Sequence, residues 1–182
     1  MFIARKLKKE NICEYLLYMW QIEDLIRAFD LNIDLINEHI VKKYAVQKES
    51  DKKIVYEWYE SLIEMMLLEN AKKNGHLQIN KNTIIDLVDF HSLVIKSNQV
   101  PAYNAKFYHI LPYLNQLRTK SESGISDIEL CFNFMYGIMT LRMKKAEIKP
   151  ETLETQTEIS KFLVLLARNH KAYRNGELDL EP

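Results

Sequence analysis

Apolar residues recur along this chain at three- and four-residue intervals almost from end to end, the spacing that lines one side of a helix. The pattern predicts seven helices. The first runs from about Asn11 to Phe29. "DLNID" then offers Asp30, Asn32 and Asp34 as turn and cap residues for a second, which reaches about Val46. A third opens at Ser50 or Asp51 and closes at Gly75, placed to take the left-handed position past a helix end. A fourth starts near Asn82 and Thr83 and stops before Pro101. Pro101 opens the fifth, since a missing amide is harmless in a first turn. After the loop at Ser121 to Gly124, Ser126 and Glu129 have capping-box spacing and start a sixth that extends to about Lys145. Pro150 opens the seventh and Gly176 stops it. "HLQIN", His76 to Asn80, alternates weakly, but a lone strand is not stable by itself. The expected fold is all-α: a single-domain helical bundle of about seven helices over residues 1–182.

Three of these helices are apolar on more than one side. In the first, Tyr15, Tyr18, Met19, Ile22, Leu25, Ile26 and Phe29 form one stripe, while Leu16, Leu17 and Trp20 lie opposite. Glu23 and Arg27 follow on that second side at a four-residue spacing that suits a local ion pair. In the sixth, Ile128, Cys131 and Phe132 share a face, and Leu130, Phe134 and Leu141 another. Gly137 in mid-helix costs about 1 kcal/mol against alanine, for which close approach of a neighbouring helix would compensate. The seventh is apolar throughout Phe162 to Ala167. Such surplus area is unusual on the surface of a soluble monomer. It is covered either within the chain or by a second copy. The third helix is simpler: Glu57, Glu60 and Glu64 lie opposite its apolar side, as a solvated face does.

Composition narrows the function classes. Lys plus Arg equals Asp plus Glu at 25 each, so no net field draws the chain to a polyanion, and nucleic acid is disfavoured as a partner. The basic residues Arg5, Lys6, Lys8 and Lys9 read as a solvated helix end. Cys13 and Cys131 stand in no motif and read as buried thiols in a reducing compartment, which with no secretory signal predicts a cytoplasmic protein. No apolar run approaches the roughly 20 residues that span a bilayer, so no membrane association is expected.

The chain carries few marks of chemistry. None of the five histidines has a carboxylate, thiol or imidazole three or four residues away, so no helical metal chelate is expected. There is no nucleophile elbow, and the four glycines are isolated, so phosphate and dinucleotide loops are missing. No catalytic residue, metal or cofactor is predicted, and the reading leans away from an enzyme. His91 is the exception, set among Ile84, Leu87, Val88, Val94 and Ile95 on an apolar face. Burial there favours neutral imidazole and demands a hydrogen-bond partner, supplied either by the core itself or by a ligand. Pro112 removes the bond to the carbonyl of Tyr108, which predicts a kink where Tyr108 would line a pocket or the helix would simply wrap the core.

The opening "MFIARKLKKENICEYLLYMWQIEDLIRAF", with Asn11 to Gln21 and then Glu23-Asp24 as its marks, resembles the start of an uncharacterised bacterial family. That domain-of-unknown-function family consists of short, all-helical, cytoplasmic proteins, and the resemblance implies the helical fold but no activity. The leading expectation is a non-enzymatic interaction module that self-associates as a homodimer. Its contact would be Leu16, Trp20, Glu23 and Arg27, an aromatic anchor rimmed by charge. The alternative is a small-molecule binder with a core cavity near His91 and Tyr108, open to an apolar or aromatic ligand.

Overall fold

The computed structural model describes residues 1–44, 49–121 and 123–180. Among them lie eight α-helices: α1 (Phe2–Glu10), α2 (Ile12–Ala28), α3 (Ile33–Ile36), α4 (Glu49–Leu68), α5 (Gln78–Ser97), α6 (Pro101–Arg118), α7 (Asp127–Met143) and α8 (Pro150–Arg174). A π-helical turn, Asn37–Val41, continues α3. No strand occurs among the described residues, so the all-α expectation holds. The additional helix is α1. Its Arg5, Lys6, Lys8 and Lys9 are exposed, and Ala4 alone of its residues is buried. The "HLQIN" stretch is the approach to α5 and its first turn. The expected end of the second helix at Val46 lies outside the described residues.

Helix ends follow local chemistry. Ser126 caps α7 by accepting a bond at 3.1 Å from the Glu129 amide. Asn32 caps α3 through the amides of Asp34 and Leu35. Gly176 closes α8 at φ +72, with the Glu177 amide donating to the Ala172 carbonyl and the Gly176 amide to Tyr173. Gly75 does not close α4. Asn70, at φ +56, does so five residues earlier: Ala71 N–H donates to Met66 and Asn70 N–H to Leu67. Asparagine tolerates this left-handed conformation better than most side chains, so the helix stops before the glycine is reached.

Chain contacts divide into two compact units: Met1–Lys9 with Glu14–Asn82, and Glu10–Cys13 with Thr83–Pro182. In the first, α4 buries Val55, Tyr59, Leu62 and Met66 and exposes Glu57, Glu60 and Glu64, which is the amphipathic arrangement the spacing requires. On α2, both apolar sides are covered: Tyr15, Leu16, Met19, Trp20, Ile22 and Ile26 are all buried.

In the second unit α6, α7 and α8 pack pairwise against one another. Tyr103, Phe107, Ile110 and Leu114 line the inner face of α6, and Ile159, Phe162, Leu163 and Leu166 that of α8. Val164 is exposed, so the apolar run from Phe162 to Ala167 is covered only in part. Helix α6 runs on through Pro112. Gly137 marks no close approach: it is exposed, and an added Cβ would meet nothing within 4 Å. The pair of Lys106 and Lys161 converges on Glu158, and their hydrogen bonds hold its carboxyl down at about 2. His109 also reaches Glu158, at 3.0 Å.

Candidate functional site

Two polar clusters stand out, one in each unit. The first is built on Glu23 of α2. This carboxylate is fully buried. Its Oε1 accepts from the Leu77 amide at 2.9 Å and from Asn80 Nδ2 at 2.7 Å, and Oε2 lies 2.5 Å from His76 Nδ1. The His76 ring stacks on Trp20, with centroids 4.0 Å apart and planes 10° from parallel. Arg27 does not pair with Glu23. Its guanidinium bonds Asp24 at 2.6 Å, the Ala71 carbonyl at 3.2 Å and the Gly75 carbonyl. The reason is geometric: Glu23 turns inward to receive the unsatisfied amides where α5 begins, a better return for a buried charge than a solvated ion pair. Leu16, Trp20, Glu23 and Arg27 are thus gathered on α2, but the first three are interior and the fourth is tied down by the chain's own carbonyls.

The second cluster surrounds His91 on α5. The imidazole is 9% exposed, and its Nδ1 lies 2.8 Å from the Tyr103 hydroxyl. Phe107 meets it edge-on at 4.4 Å, and Phe162 lies beyond at 6.0 Å. Burial pushes the His91 pKa below its ordinary value, with Asp127 opposing in part, so the ring is neutral at neutral pH. Burial also raises the Tyr103 hydroxyl well above the usual phenol range, which keeps it protonated. Tyr103 is wholly buried, and its proton needs an acceptor. If Nδ1 carried hydrogen, both groups would offer protons and the phenol would waste its own. The hydroxyl therefore donates to Nδ1, and the ring hydrogen resides on Nε2.

His91 also lines a groove of about 450 Å³. Val88, Ile95, Phe107 and Ile128 supply apolar wall; Ser92, Lys96, Arg118, Ser126 and Asp127 supply polar edge. Arg118 bonds Asp127 and, at 2.8 Å, the Ile125 carbonyl, which fixes the loop before α7 along the groove. Tyr108 is not part of it. That ring is 57% exposed, because one residue of helix turns it about 100° away from its neighbour Phe107, which takes the place beside His91. The sequence signals the apolar face that carries His91; it gives no signal for Arg118 and Asp127, which arrive from other elements. Among the described residues no group of three or more His, Cys, Asp or Glu side chains is placed to hold a metal ion. Burial raises the Cys131 thiol far above its ordinary value, as befits an inert core cysteine.

Residues 1–177 match the model of the family described as "Domain of unknown function (DUF4924)", and the chain belongs to that family. No curated protein and no solved structure matches it. No helix among the described residues is long and apolar enough to cross a membrane.

Proposed function

We propose that this DUF4924 chain is a non-enzymatic small-molecule binding protein, and that the ligand sits in the groove beside His91. The observation that carries the reading is a largely buried histidine on the wall of a groove. His91 is about nine-tenths buried, its Nδ1 is bonded to Tyr103, and its ring lines a groove of about 450 Å³, while Nε2 is not one of the sealed, unpartnered atoms of the core. A polar ring set in a concave, largely apolar wall is a place for a ligand atom. The groove volume falls within the roughly 300–1,000 Å³ range of small-molecule sites. A reducing, cytoplasmic setting is supported by the two buried free thiols, Cys13 and Cys131.

A thermal-shift screen of apolar and aromatic compounds tests the reading, followed by NMR of the hits. A binder should raise Tm and move the resonances of Val88, Ile95, Phe107 and Ile128. A broad screen without a hit, or hits that leave those four unmoved, would sink it. Homodimerisation is a separate proposal, supported by exposed apolar side chains such as Leu68 at 82%, Met143 at 64% and Val164 at 60% rather than by the interior residues Leu16 and Trp20. Light scattering across concentration checks it, and a compact monomer at high micromolar concentration would end it.

A further inference from the structure

Resting on that reading, we infer that the ligand class is an amphipathic carboxylate: a flat or aliphatic apolar body bearing one anionic group, whose oxygen accepts the His91 Nε2 hydrogen. Three observations meet here. The first is the direction of the Tyr103–His91 hydrogen bond at 2.8 Å, which makes the other ring nitrogen, on a residue that lines the groove, a donor. The ligand atom opposite it must therefore be an acceptor. An amine or ammonium would confront hydrogen with hydrogen.

The second is the charge of the rim. Lys96 and Arg118 bring two positive charges and Asp127 one negative, leaving the groove lining one unit positive with His91 neutral. Asp127 is already paired with Arg118, whereas Lys96 is exposed on the last turn of α5 and makes no ion pair among the described residues. The spare charge is therefore that of Lys96. The third is the wall. Val88, Ile95, Phe107 and Ile128 offer nothing to a polar body, so the anionic group must be attached to an apolar one. Phe107 stands edge-on to His91, so a ring entering along the imidazole would find aromatic surface beside it. A donor, a spare cation and an apolar wall in one groove select a carboxylate end at His91 and Lys96 and a hydrocarbon end along α5 and α7.

The experiment uses three isosteric probes on the full chain: 2-naphthoate, naphthalene-2-methanol and 2-naphthylmethylamine. Affinities are measured by calorimetry at low and moderate salt, for the wild type and for Lys96→Gln. Lys96 is exposed, so that variant keeps the fold. Naphthoate should bind at least tenfold more tightly than the alcohol, and the amine weakest. Lys96→Gln should weaken naphthoate several-fold and leave the alcohol unchanged. Long-range proton–nitrogen NMR of His91 should place the ring proton on Nε2 with and without naphthoate. Equal affinity for acid and alcohol in the groove, or preference for the amine, overturns the carboxylate class while the binding reading survives. A ring proton found on Nδ1 overturns it as well. If no probe binds the groove at all, the binding reading fails and this inference falls with it.

Discussion

His76 and His91 are both held through Nδ1, yet they have opposite consequences. His76 rests against a buried carboxylate and a stacked indole, in a cluster where Glu23 gathers the ring, a backbone amide and an asparagine amide. Its partners tie α2 to the beginning of α5. His91 rests against a neutral hydroxyl and lines a groove. A buried carboxylate that spends its bonds on the chain's own amides and ring, as Glu23 does, is cross-bracing. A ring on the wall of a groove is placed to meet something else. The more conspicuous cluster, built on the wholly buried Glu23, joins parts of the chain to each other.

The largest way to break this contrast is at Glu23. Glu23→Leu would strand the Leu77 amide and Asn80 Nδ2 in the interior and release His76, and should cost about 3–5 kcal/mol in urea unfolding. A loss below about 1 kcal/mol would show that the cluster is not bracing at all.

At the other cluster the expected change is smaller and reversible in a specific way. Tyr103→Phe leaves His91 Nδ1 unmet and should cost about 1–3 kcal/mol. Adding His91→Leu should recover part of that loss rather than add to it, because both halves of the bond are then gone. Full additivity in the cycle would mean the two residues do not interact.

The smallest effect is in pH. The folded pKa of His91 lies below its unfolded value of about 6.5, so the unfolded chain takes up the proton first. Stability from this group is complete above about pH 6.5 and is lost as pH falls from there through the lower folded value. Melting curves of the wild type against the Tyr103→Phe/His91→Leu double variant should converge as the solution is acidified. A constant difference between them from neutral pH down to pH 5 would refute the burial-driven shift.

The fold was largely legible because helix ends are written locally. Ser126, Pro101, Pro150 and Gly176 each mark a terminus through their own backbone or side-chain chemistry. Helix α1 was not foreseen, since a nine-residue segment with one buried residue carries little periodic signal. Asn70 stopped α4 before Gly75 because asparagine competes for the same backbone conformation. His91 could be picked out from the apolar neighbours on its own face. Glu23 could not be placed: its apparent partner Arg27 is four residues away, while its real partners lie 53 to 57 residues on. Local spacing records what two side chains can do on one helix, and is silent about which opening turn elsewhere will claim one of them.

That distant claim divides two adjacent amides into different dependencies. The Leu77 N–H is shielded by a carboxylate from α2, whereas the next one, Gln78, is met by Glu69 only nine residues back. Water can reach Gln78 through a local breath of the loop. It reaches Leu77 only when Glu23 withdraws, so the approach to α5 shares the fate of a segment made half a hundred positions earlier, and that one peptide group is a gauge of whether α2 still holds it.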